Sequence, residues 1–329
     1  MKMKSLFAAV AALTSLCAMG GIAQAQETLT LKVGSILDPQ HPLIIGARRM
    51  AELAEAESKG RLKINIFPSS QLGAQREIWQ NVQAGIIDGV LDASANLANF
   101  VPQFSVLDLP YLVRDEAAAF KLLDSSVVQQ ELLAKGNAAG FHLVNFWEVT
   151  FRNIYSRSRP INSVADLKGQ KIRVIPNPSF IALFRALGAA PTPMAFGEIY
   201  TALQQGVIDG AENDSVTYLS TKHYEVAPNL AITNHMMLAN TFTMSEKTWQ
   251  KLPKDLRNII QTASLEGRNA VAEERAKRDA KALEEIKSRG IKVTEPDLAP
   301  FIEAGRKTYD EMAQRIGKEL VAKIVEAVK

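Results

Sequence analysis

Two stretches of the chain echo each other: YTALQQGVIDGAEND from Tyr200 to Asp214, and QNVQAGIIDGVLDAS from Gln80 to Ser94. Each has an apolar helical run, a glycine, then Ile-Asp-Gly. An apolar pair one turn apart precedes the glycine at the same spacing in both: Ile78 and Val82 before Gly85, Ile199 and Leu203 before Gly206. Such a pair turns one helix face toward a sheet, and the glycine supplies a left-handed C-terminal cap. The Asp of each Ile-Asp-Gly reads as a fastener of the turn into the next strand, because Asp and Gly together are turn chemistry.

The flanking elements repeat as well. In the first half LTLKVGSI reads as a strand and HPLIIGARRMAELAEAESKG as a helix ending at Gly60. RLKINIFP follows as a strand closed by Pro68, then a helix around AQREIWQNVQAG. In the second half GQKIRVIP is a strand closed by Pro176, SFIALFRALG a helix stopped by Gly188, and FGEIYTALQQG another helix. By position before each proline, Lys63-Ile64-Asn65 pairs with Lys171-Ile172-Arg173. Alternating strands and helices define an α/β fold, and the repeated order predicts two similar domains in series. In open α/β sheets ligands bind beyond the carboxyl ends of strands, so two facing domains place a cleft between them.

From Asp255 to Arg289 a single helical pattern runs between Pro253 and Gly290, with Gly267 as its interior glycine. At 1.5 Å per residue it is about 50 Å long, enough for a strut across both domains. A last helix is expected from roughly Ala304 to the C-terminus, with no packing partner evident.

The N-terminus belongs to export. Lys2 and Lys4 precede an apolar core from Leu6 to Ala18, and Ala23-Gln24-Ala25 offers a signal-peptidase site, so cleavage is expected near Ala25/Gln26. The core is too short to span a bilayer, and Leu16 is too bulky for a lipidation box at Cys17. Cys17 is the sole cysteine. The mature chain therefore has no disulfide, thiol nucleophile or thiolate metal site, and an exported chain without disulfides suits a bacterial periplasm. The whole chain has 38 Lys+Arg and 35 Asp+Glu; losing Lys2 and Lys4 leaves 36 − 35, or +1. That balance argues against nucleic acid as partner. About 300 mature residues suffice for two full cores.

Common catalytic signatures are absent: no Gly-x-Ser-x-Gly, no phosphate-binding glycine loop, no His-Glu-x-x-His, no dinucleotide fingerprint. Four histidines, His41, His142, His223 and His235, fall at no metal-ligand spacing. No catalytic residue, cofactor or metal is expected. What remains is arginine beside strand ends. Arg173 alternates with Ile172 and Val174 and so projects from the opposite face. Arg152 sits in WEVTFRNIYSRSRPI, and Asn213 ends the second repeat. Arginine's planar fork suits a carboxylate. Trp147, Glu148 and His41 are further pocket candidates.

At these residues the chain resembles the dicarboxylate-binding-protein (DctP) family, the solute-binding proteins of tripartite ATP-independent periplasmic (TRAP) transporters. The marks are FPSSQLGAQREIWQNVQAGIIDG, FRNIYSRSRPINSVADLKGQKIRV and LGAAPTPMAFGEIYTALQQGVIDGAEN, followed by TNHMM and MSEKTWQKLP. The resemblance implies a two-domain Venus-flytrap clamp with a long hinge-spanning helix. On that basis residues 1–25 are signal peptide, 26–150 plus roughly 237–275 form domain I, and 151–236 plus roughly 276–329 form domain II. It implies Arg173 as carboxylate anchor, with Arg152 and Asn213 completing the anion site. Phe196 is implied as a pocket-lining aromatic and Asn177 as a polar contact. It also implies a small organic acid as ligand, small and large permease subunits as partners, and a monomer.

The chain departs from the family pattern in three places. Asp214 replaces a frequent proline, Thr150-Phe151 replaces a usual glycine before Arg152, and Ala93 replaces the acidic residue of the sialic-acid branch, which argues against sialic acid. Asp214 and Asn96 suit sugar hydroxyls, so a sugar acid such as a uronate or aldonate is expected. A dicarboxylate or aromatic acid, and an exported α/β enzyme acting on a carboxylate, stay open.

Overall fold

The computed structural model describes residues 28–329, and the expected signal peptide lies outside them. The chain opens with β1 (Leu29–Gly34), α1 (Pro42–Glu57), β2 (Leu62–Phe67), α2 (Gln75–Ala84) and β3 (Gly89–Ala93). The same unit returns as β5 (Lys171–Val174), α3 (Pro178–Ala186), β6 (Ala190–Pro193), α4 (Ile199–Gln205) and β7 (Gly210–Asn213). In each copy the first strand is central and parallel to the other two.

The quoted repeats do the same job in both copies. Gly85 and Gly206 end their helices at φ 77° and 75°, a left-handed conformation that glycine adopts without penalty. Asp88 then accepts the Lys32 amide at 2.8 Å and returns its own amide to Lys32 O. Asp209 does likewise with Lys171. Both aspartates are thus fasteners between neighbouring parallel strands. This pairing corrects one expectation: the counterpart of Lys171-Ile172-Arg173 is Lys32-Val33-Gly34 on β1, not Lys63-Ile64-Asn65 on β2. Only the second copy carries an arginine at that strand end.

Two long antiparallel strands, β4 (Phe141–Ser156) and β8 (Asn229–Ser245), join the copies. β3 pairs with β8 and β7 with β4, giving one sheet in the order β2-β1-β3-β8-β4-β7-β5-β6, with β9 (Lys292–Thr294) beside β8. Register between the long strands shifts after Arg152, where β8 bulges through Asn234 at φ 41° and Asn153 Oδ1 accepts the amides of Thr233 and Asn234. Bulges of this kind re-aim neighbouring side chains.

After the short helix α5 (Ser215–Ser220), the long helix is α6 (Lys254–Ser288), 35 residues. Its Leu256, Ile260 and Val271 pack with Leu31, Leu43 and Met50 of the first unit, and its Ile286 packs with Tyr155 and Leu203 of the second. It therefore spans both, as expected. α1 crosses α6 at Gly46 and Gly267, so closely that a Cβ on Gly46 would lie 2.5 Å from Gly267 O. The expected single C-terminal helix is three: Ala299–Arg306, Tyr309–Ile316 and Lys318–Ala327. Met312, Ile316 and Ile324 pack against Phe104, Leu122 and Phe141. No helix among the described residues is long and apolar enough to cross a membrane.

Candidate functional site

The ends of β3, β5 and β7 converge on a cavity between the two units. It is lined by Arg173, Arg152, Asn213, Asp214, Phe196, His41 and Asn96, all singled out from sequence. It is also lined by Gln75, Asp92, Thr217 and Asn240, which were not.

The two arginines differ in what they have left to give. Arg152 gives four of its five N–H groups to its own chain. Its Nε donates to Glu212 Oε2, its Nη2 to Glu212 Oε1 at 2.9 Å and to Glu212 O at 2.7 Å, and its Nη1 to Asn213 Oδ1 at 3.0 Å. Burial opposes both charges, but their mutual attraction outweighs it: Arg152 is held above the usual guanidinium range and Glu212 below the usual carboxylate range. Arg173 gives Nε and Nη2 to Met194 O, at 3.0 and 2.8 Å. Its Nη1 is buried with no hydrogen-bond partner among the described residues, 4.0 Å from Glu212 Oε1. Burial, assisted by Arg152, pulls the Arg173 guanidinium down to about 10, so it stays a cation at neutral pH. A buried cation with an unused donor is costly until an anion completes it.

On the near side, Asp214 caps α5, accepting the amides of Val216 and Thr217, and takes Arg275 Nη2 at 2.8 Å. Burial alone would raise its pKa; Arg275 and the backbone donors hold it well below the usual range instead. Arg275, on α6, also reaches Glu148 at 3.4 Å. His41 caps α1 by accepting the Leu43 amide on Nδ1, so Nε2 carries its proton. Burial keeps it neutral despite Glu148 and Asp214 nearby.

The opposite wall hangs on Asp92. Its carboxylate accepts from Gln75 Nε2, Trp79 Nε1, Asn96 Nδ2 and the Ala93 amide, between 2.7 and 3.2 Å. Burial raises it to about 6 against those donors, so it is ionised at neutral pH.

Three expected contacts are placed elsewhere. Asn177 caps α3, accepting the Ser179 amide and donating to Asp108 and to Ala95 O; it does not line the cavity. Trp147 packs on Phe242 and donates to Ser264 of α6 at 2.9 Å, so it belongs to the helix–sheet core. Glu148 lies behind the lining, taking Asn240 Nδ2 at 2.7 Å. Of the residues missed, Glu212 stood inside the quoted DGAEN, one position before Asn213. Arg275 was hidden in the charge-rich run of α6.

A bilobal α/β fold with a buried, incompletely paired arginine at the junction defines a receptor for a small anion. Residues 33–316 match the bacterial extracellular solute-binding protein family 7, and the chain belongs to that family. The sialic acid-binding periplasmic protein of Vibrio cholerae is 33% identical over 309 residues, covering 93% of this chain and 95% of the relative. The sugar acid binding protein of Advenella mimigardefordensis, solved with galactonate, has a TM-score of 0.87 at 29% identity, covering 92% of this chain and 98% of that one. A TRAP periplasmic solute-binding protein of Sulfurospirillum deleyianum, solved with succinate, has a TM-score of 0.86 at 32% identity, covering 92% and 100%. The chain is thus a TRAP-type solute-binding protein, a family of receptors that bind small organic acids and work with membrane permease subunits.

Proposed function

We propose that this chain captures a sugar acid in the periplasm and delivers it to TRAP membrane subunits. One observation carries the proposal: Arg173 Nη1, buried at the cavity without a partner among the described residues. A ligand carboxylate takes that donor and the amino group of Asn213, whose Oδ1 is already held by Arg152. Hydrogen bonds to charged groups contribute about 1.5–3 kcal/mol each. Phe196 packs on the carbon skeleton, and Asp214, His41 and Asn96 meet hydroxyls.

The first 25 residues act as a cleaved signal peptide. The mature chain is a monomer without enzymatic activity, its lobes approximating residues 26–150 plus 237–275 and 151–236 plus 276–329. These close on the ligand about β4, β8 and α6. Delivery follows recognition of the closed form. A dicarboxylate is the second reading, favoured by the succinate found in a relative of 32% identity.

Titration calorimetry tests the class. Glucuronate and galactonate should release or absorb measurable heat, and glucose and galactose should give none. Equal affinity for an acid and its neutral sugar would remove the anion site.

A further inference from the structure

The cavity is polar in a directional sense. Three amide side chains line the wall contributed by α2, the end of β3 and β8: Gln75, Asn96 and Asn240. Each has its amino group committed to a buried carboxylate. Gln75 Nε2 is 3.0 Å from both oxygens of Asp92, and Asn96 Nδ2 is 3.2 Å from both. Asn240 Nδ2 is 2.7 Å from Glu148 Oε2. An ionised carboxylate can only accept, so chemistry alone fixes which end of each amide faces it. The carbonyl oxygens are therefore turned away from Asp92 and Glu148, and no described residue donates to them. Asn213 is set the other way round. Its oxygen is taken by Arg152 Nη1 and the Asp214 amide, so its amino group is the free end.

Charge follows the same division. Around the strand ends of β5 and β7, Arg152 and Arg173 face Glu212, leaving one positive charge in surplus. Toward α6, Arg275 is answered by Asp214 and Glu148 together. Asp92 has no cation among its partners. His41, also at the cavity, is a neutral donor.

Resting on the proposed anion-receptor role, we infer that Gln75, Asn96 and Asn240 form a hydroxyl-reading wall that selects a polyhydroxylated monocarboxylate and rejects a second carboxylate. A ligand hydroxyl donates to an amide oxygen. A carboxylate there cannot donate, and it faces Asp92 in the cavity lining and Glu148 behind it, where like charges oppose it. Asp92 and Glu148 act as positioning residues through the amides that they hold.

The matched probes are gluconate and glucarate, and galactonate and galactarate, which differ only in the far terminus. Hexanoate serves as the unhydroxylated monocarboxylate. By calorimetry on the mature chain, the better aldonate should bind about a hundredfold more tightly than its dicarboxylate partner, and hexanoate should bind weakly but measurably. Gln75→Ala, at a half-buried position opening α2, should weaken aldonate binding about threefold to tenfold and leave hexanoate binding unchanged, with only a small fall in melting temperature because Asp92 keeps Trp79, Asn96 and the Ala93 amide. Asp92→Asn frees two amides to turn round and should narrow the aldonate-to-dicarboxylate ratio. Equal affinity within both pairs, or an equal loss of aldonate and hexanoate in Gln75→Ala, would overturn the hydroxyl wall while leaving the anion-receptor role intact. If none of the five carboxylates bound, that role would fall and the wall with it.

Discussion

Arg152 and Glu212 close on each other through the Nε–Nη2 edge of the guanidinium, with neither side chain more than 2% exposed. The pair takes up most of the cation that sequence patterning offers beside Arg173. Arg173, whose Nη1 is 4.0 Å from the same carboxylate, keeps more of its donors. The site thus combines a built-in anion with an arginine that lacks one, and its surplus charge matches a monoanion.

Glu212→Gln keeps the shape and removes the charge that balances Arg152. Breaking one side of a buried pair costs about 3–5 kcal/mol. The ligand-free melting temperature should drop by on the order of 10 °C in differential scanning calorimetry. An unchanged melting temperature would show that the pair contributes nothing net.

The crossing of α1 and α6 offers a packing test. A Cβ on Gly46 would lie 2.4 Å from Val271 Cγ2 and 2.5 Å from the Gly267 carbonyl oxygen; on Gly267 it would lie 2.9 Å from Trp147 Cη2 and 3.0 Å from Gly46 O. Alanine gains up to about 1 kcal/mol of helix propensity at either site, but forced separation costs about 1–3 kcal/mol. Urea unfolding should therefore find Gly46→Ala more destabilised than Gly267→Ala. The reverse order would contradict the crossing geometry.

Acid stability should expose Asp214. Its folded pKa lies below the unfolded value near 4. The folded state then binds fewer protons, so this contribution is full above about pH 4 and declines steadily below it, disappearing only as pH falls through the much lower folded pKa. Melting curves of ligand-free wild type and Asp214→Asn should differ at pH 7, and the gap should narrow progressively below pH 4. A gap as wide at about pH 2 as at pH 7 would mean that the carboxylate's charge, paired with Arg275, is not its source.

Local signals in the sequence carried furthest. Gly85, Gly206, Asp88 and Asp209 act on chain neighbours or on the adjacent strand, so their roles were legible from spacing. The counterpart of β5 was misread because β1 and β2 both carry a lysine followed by an apolar residue, and strand order is not a local property. Asn177 stands just past the end of β5, as a ligand contact would, and Trp147 lies midway along β4 beside Glu148. Their partners Asp108 and Ser264 lie 69 and 117 residues away in sequence, where no spacing rule reaches. Arg275 looked like one charge among many on a solvated helix. Only the fold brings it to Glu148 and Asp214.

Arg173 decides the account. Lysine there keeps the charge but loses the planar fork, so one prong to a carboxylate is lost. At about 1.5–3 kcal/mol for such a bond, calorimetry with the tightest sugar acid of the panel should show Arg173→Lys weakened about tenfold to a hundredfold. Arg173→Ala should show no measurable binding. Melting temperatures without ligand should change little, because losing the bonds to Met194 O is offset by removing a buried cation whose Nη1 has no partner among the described residues. Wild-type affinity in Arg173→Lys, with the fold intact, would contradict the claim that this arginine anchors the ligand carboxylate.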